Sequence, residues 1–117
     1  MPFKFEKLIV WQKAVDLSDI VNQLSRSFPK DELYILTSQI KRAADSVSLN
    51  IAEGSTGQSN PEFRRFLGYA LRSAIEVVGC IYLARRRKYI RDNDFEKIYT
   101  LCEELLVMIN SLRKTLQ

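Results

Sequence analysis

The stretch from Ser38 to Gly54, SQIKRAADSVSLNIAEG, reads as one helix with two working faces. Ile40, Ala43, Val47 and Ile51 recur at three- and four-residue spacing, the period of an amphipathic helix, and Ala44 widens the stripe. Gln39, Arg42, Ser46, Asn50 and Glu53 fall within roughly 80° of one another, on a flank about 120° from that core stripe. Small residues at Ala43, Ala44 and Ser46 allow a second helix to come close. The flank has two readings: a solvated face, or a surface that hydrogen-bonds across a subunit boundary. A catalytic role for Glu53 has little support, because it has no second carboxylate at a suitable spacing and the chain contains no histidine.

Working outward, Leu33 and Leu36 extend the stripe backwards to Asp31, a residue type suited to the N-cap. Gly54 suits the C′ position, where positive φ is needed. Upstream, Val10, Ala14, Leu17, Val21, Leu24 and Phe28 form another stripe, closed by Pro29. Downstream, the loop GSTGQSNP leads to Ser59-Asn-Pro-Glu62. This fits a capping box, with Pro61 in the first turn where its missing N–H is harmless. Phe63, Phe66, Leu67, Ala70, Ala74, Val77, Ile81 and Ala84 carry the third stripe. After YIRDND, with Asp92 or Asp94 as N-cap, Phe95, Ile98, Cys102, Leu105, Ile109, Leu112 and Leu116 carry the fourth.

These spacings predict helices over about 8–28, 32–53, 60–88 and 93–116, in a single domain over 1–117. Short connections make the fold class all-α, an antiparallel up-down-up-down four-helix bundle. LCEELLVMINSL has more apolar surface than one stripe requires. Either the core is wide or a second face of this last helix meets another chain; the expectation is the second.

The 117 residues include 46% apolar ones, enough for a core without metal or disulfide. Cys80 and Cys102 lie in apolar helical patterns and read as buried free thiols in a reducing compartment. No apolar run approaches the roughly 20 residues of a membrane span, and the first residues lack a secretory pattern. The expectation is a cytoplasmic protein with no membrane partner.

Charge is uneven. Arg64 to Arg91 holds eight basic residues and one acid, Glu76, for +7, whereas the remainder is −3. Such asymmetry suggests an anionic partner. Arg65, Arg72, Arg86 and Arg87 project opposite the core within about 100°, and Gly68 and Gly79 share that face. Interior glycines cost about 1 kcal/mol against alanine, so two on one face suggest close approach by another backbone. Arginine suits phosphate because it offers planar paired donors. The candidate nucleic-acid-binding set is Arg65, Arg72, Arg85, Arg86, Arg87, Lys88 and Arg91, with Tyr89 among them as a weak candidate for base stacking. A solvated arginine face and an acidic protein partner remain open.

Other chemistry is unsupported. There is no P-loop or Gly-x-Gly-x-x-Gly, no metal-ligand spacing and no cofactor motif. The Gly-x-x-Gly at Gly54 to Gly57 joins two helices and reads as a turn. Ser55, Thr56 and Ser59 have no histidine base. Tyr34, Tyr69, Tyr82 and Tyr99 read as packing residues.

LIVWQKAVDL, FPKDELYILTSQIKRAADSVSLNIAEG and FRRFLGYALRSAIEVVGCIYLARRRKYI resemble the four-helix-bundle family encoded in intervening sequences of bacterial 23S ribosomal RNA genes. The resemblance covers Phe5 to about Leu112. Its most specific pieces are Trp11 with Lys13 and Ala14, the run Ser38 to Ala44, and Asn50 to Gly54. Ile35 stands where that pattern often has glycine, and Val47-Ser48-Leu49 lacks a frequent proline. The family is similar in fold to the accessory variability protein of diversity-generating retroelements, a five-fold barrel of bundles that binds nucleic acid and a reverse transcriptase. The helical wheel makes Gln39, Arg42, Ser46, Asn50 and Glu53 the candidate subunit interface. The resemblance implies a homopentamer. It also implies RNA or DNA, a reverse transcriptase or another nucleic-acid enzyme as partner. The expected function is non-enzymatic binding of a nucleic acid or such an enzyme by a homo-oligomer. The alternative is a protein-interaction scaffold with no nucleic-acid role.

Overall fold

The four apolar stripes face one another along a rod of 43 × 22 × 22 Å. The structure is a computed structural model that describes residues 2–57 and 59–117. Its helices are α1 (Ile9–Ser25), α2 (Ser38–Gly54), α3 (Asn60–Arg86) and α4 (Asp92–Thr115), with no strand among the described residues. Each helix packs on its neighbour in sequence, and α1 closes the ring against α4. Leu17, Ile40, Ile51, Leu67, Ile81, Ile98, Leu105 and Ile109 fill the centre with no exposed surface. Truncating any one of them to alanine removes about 2–5 kcal/mol.

The helix ends differ from expectation in ways that place the surfaces. α1 stops at Ser25; Phe28 lies beyond it in a turn, still buried. A short 3-10 turn over Lys4–Lys7, not anticipated, sets Phe5 against Trp11 with ring centroids 4.9 Å apart. Asp31 does not cap α2. A 3-10 turn over Lys30–Glu32 runs into a π-helical turn over Leu33–Thr37, and regular α geometry begins at Ser38. The cause is tertiary. Glu32 is buried against the end of α3, and the widened turn then buries Leu36 and Thr37 while Tyr34 and Ile35 face outward.

Gly54 is not a positive-φ cap; Gly57 is the glycine that adopts that geometry, with φ +90°. Gly54 ends α2 in contact with α3, where a Cβ would sit 2.5 Å from Phe66 Cβ. Closeness of helices, not backbone conformation, requires it. Gln58, part of the expected loop, lies outside the described residues.

Ser59 caps α3 as expected, accepting from the Glu62 amide at 3.2 Å. The Glu62 carboxylate, expected to reach back to Ser59, instead accepts from Arg65 Nη2 at 2.7 Å. At α4 the N-cap is Arg91, so Asp92 and Asp94 occupy the first turn, where negative charge suits the helix dipole.

The surplus apolar surface of α4 is mostly internal. Leu101, Met108 and Leu112 pack partly against the core, and only Val107 is largely exposed. The exposed apolar side chains cluster instead at Leu33, Tyr34 and Ile35, and along α3 at Tyr69, Ile75, Tyr82 and Leu83. Tyr34, read from sequence as a packing residue, is 89% exposed. By length and composition α3 is apolar enough to cross a bilayer: an 18-residue window has mean hydropathy 1.4, and one third of it is buried in the bundle.

Candidate nucleic-acid interface and subunit surface

The basic end of the molecule is made by the stop of α3. Arg87 terminates the helix, Lys88 takes a left-handed conformation with φ 63°, and the Tyr89 amide donates back to Ala84 O at 2.9 Å. This 6→1 closure reverses the chain and buries Ile90, so that α4 starts beside the last turn of α3. Arg85 and Arg86 thus sit at the negative end of the helix dipole, which favours them there with or without a ligand.

Three of the seven predicted basic residues already have partners within the chain. Arg65 pairs with Glu62. Arg87 Nη1 lies 3.2 Å from Glu32 Oε2, and Tyr89 donates its hydroxyl to the same oxygen at 2.8 Å. That hydrogen bond, then burial, then the Glu32 charge push the Tyr89 phenol above its usual value of 10.0. With its ring 5.7 Å from Phe28, Tyr89 is a pin between the two connections, not a free stacking surface. The Arg85 guanidinium lies 3.7 Å from the centre of the Phe95 ring and 5.3 Å from that of Tyr82.

Arg72, Arg86, Lys88 and Arg91 are exposed and make no ion pair among the described residues. Arg86, Lys88 and Arg91 share the α3–α4 end. Arg72 lies fourteen residues back along α3, about 21 Å away, so the predicted set is one cluster with outliers. Gly68 sits over α4, where a Cβ would lie 3.8 Å from Arg113 Nη2; Gly79 has open space.

Sequence reasoning missed the aromatic neighbour of this cluster. Tyr82 and Leu83 are 49% and 47% exposed, beside Arg85 and Arg86. The signal was present, since Tyr82 precedes Arg86 by one helical turn, but Tyr82 reads as a packing residue.

The α2 flank borders a groove of about 600 Å³ between α2 and α3, lined by Tyr34, Ile35, Ser38, Gln39, Arg42, Ala43, Ser46, Ser73 and Glu76. Three of its five predicted residues bond within the chain. Gln39 donates to Glu76 Oε2 at 3.3 Å. Ser73 Oγ lies 2.9 Å from Ser46 Oγ, and Asn50 donates to the Ser46 carbonyl and hydroxyl, each at 2.8 Å. Arg42 and Glu53 are exposed and have no hydrogen-bond or ion-pair partner among the described residues. Arg42 lines the groove together with exposed Tyr34 and Ile35.

Among the described residues no cluster of histidine, cysteine or acidic side chains could hold a metal. Cys80 and Cys102 are free and buried, as expected. Burial, helped by Glu76, pushes Cys80 up to about 11, and burial pushes Cys102 up to about 12.

No curated protein matches the chain. A crystal structure of a protein of unknown function from the S23 ribosomal protein family, from Bacteroides thetaiotaomicron, superposes with a TM-score of 0.84 at 25% identity. The match covers 91% of this chain and 99% of that one. The model of the 23S rRNA-intervening sequence protein family matches residues 6–111, nearly the whole bundle, and the chain belongs to that family.

Proposed function

We propose that this protein is a non-enzymatic homo-oligomer, five-fold by its family resemblance, that holds the phosphate backbone of a nucleic acid against the α3–α4 end of each protomer. The observation that carries this reading is the cluster of Arg86, Lys88 and Arg91. These are three exposed cations without an ion pair among the described residues, in a chain whose remaining segments carry net negative charge. An unpaired cation costs little in water and is free to displace counterions from a polynucleotide. Repetition around an oligomer adds weak sites into one strong one. A nucleic-acid enzyme such as a reverse transcriptase is a partner that such an assembly would present to its template.

The exposed side chains at Leu33, Tyr34 and Ile35 support a second reading, a protein-interaction scaffold without a nucleic-acid role. The two separate in one experiment. Arg86, Lys88 and Arg91 are replaced together by glutamine, and mass is checked by light scattering. Binding to mixed-sequence RNA and DNA is expected to fall at least tenfold with mass unchanged. Equal binding by both proteins rules out this cluster as the phosphate site, and no binding by either leaves only the scaffold.

A further inference from the structure

We infer that the bound nucleic acid is single-stranded at this end, with an unpaired base stacked on Tyr82. The inference rests on the nucleic-acid reading above and narrows it to a ligand class. Between α3 and the first turn of α4 lies a cleft of about 470 Å³, lined by Tyr82, Leu83, Arg85, Arg86 and Asp92. Tyr82, which lines this cleft, is about half exposed, with Leu83 beside it. Two contacts hold the ring in place. Phe95 meets it edge-on, with centroids 5.0 Å apart and planes at 74°, and the Arg85 guanidinium spans Phe95 and Tyr82. A ring already fixed by packing loses little freedom when a base settles on it.

A duplex cannot use this cleft, because its bases are paired and stacked inside it. It would touch only the outer cations, Arg86, Lys88 and Arg91. A single strand offers both parts: phosphates to the cations, and a π-face to Tyr82 and Leu83. Asp92 is the one acid lining the cleft. It repels phosphate, so the backbone runs on the outer side past Arg86. It can accept from a base amino group, so the base edge points inward. Tyr89, the other aromatic of the basic segment, is committed to Glu32 and Phe28 and cannot serve.

The test is fluorescence anisotropy on the intact assembly, with 20-nucleotide mixed-sequence RNA and DNA strands and their matching duplex. Single strands are expected to bind about tenfold more tightly than duplex. Tyr82→Leu removes that margin while leaving the salt dependence unchanged, because no phosphate contact is lost; Tyr82→Phe keeps it. Photocrosslinking of a bromouracil-substituted strand to the unaltered protein needs no variant, and it is expected to label the peptide containing Tyr82. Equal affinity for single strand and duplex, with Tyr82→Leu behaving as wild type, overturns the inference and leaves the phosphate-binding reading standing. So does crosslinking confined to other helices. Absence of any binding at about 50 mM salt overturns both.

Discussion

Glu32 Oε2 accepts the Tyr89 hydroxyl at 2.8 Å and lies 3.2 Å from Arg87 Nη1. One carboxylate, 9% exposed, thereby ties the α1–α2 connection to the α3–α4 turn across 57 residues of sequence. Glu32→Ala strands both donors and frees the π-helical turn that Glu32 anchors. The expected loss is about 2 kcal/mol in urea unfolding, of the order measured for hydrogen bonds to charged groups. A midpoint unchanged from wild type means that the pin contributes nothing.

Alkaline pH is expected to destabilise the fold. Tyr89, Cys80 and Cys102 all hold their protons more tightly when folded than their ordinary values of 10.0, 9.0 and 9.0. Such groups contribute stability that is complete below those values and lost as pH rises through the folded ones. Thermal midpoints are expected to stay level to about pH 9 and fall beyond it. The buried thiols are expected to resist an aromatic disulfide reagent until the chain unfolds; fast labelling of native protein at pH 8 contradicts their burial.

Two glycines give opposite expectations. Gly54→Ala places a Cβ against Phe66 Cβ and is expected to cost about 1–3 kcal/mol despite alanine's helix preference. Gly79→Ala meets open space and is expected to gain about 1 kcal/mol. If Gly79→Ala instead dissociates the assembly, that face of α3 lies against another chain.

The subunit contact is expected to depend on Arg42. Arg42→Ala leaves the Gln39–Glu76 and Ser46–Ser73 bonds intact, so the isolated bundle has no reason to weaken. A drop in mass by light scattering, with Lys41→Ala unaffected, is the expected result. Removing one member of a buried charged pair costs several kcal/mol, whereas an exposed one costs under about 1 kcal/mol. Identical mass and melting for the two variants means that Arg42 is solvated.

The sequence made the bundle legible because periodicity is local: Ile40 to Ile51 and Phe63 to Ala84 reveal their faces without knowledge of any partner. The Ser59 cap was readable for the same reason. What was not readable depended on distant contacts. Asp31 looked like a cap because the burial of Glu32 by Arg87 and Tyr89 lies across the fold. Gly54 looked like a turn residue because Phe66 was not yet beside it. The seven basic residues looked equivalent until Glu62, Glu32 and Phe95 claimed three of them.

Binding of polynucleotide phosphate by the exposed cations at the α3–α4 end is read from the slope of log affinity against log salt. Each phosphate contact contributes roughly 0.9 to that slope on duplex DNA. Wild-type protein is expected to lose affinity steeply between about 50 and 200 mM salt. With Arg86, Lys88 and Arg91 changed to glutamine and the mass intact, the slope is expected to become shallower by about three units for each engaged protomer. A wild-type slope near zero, or the same steep slope in both proteins, contradicts the account.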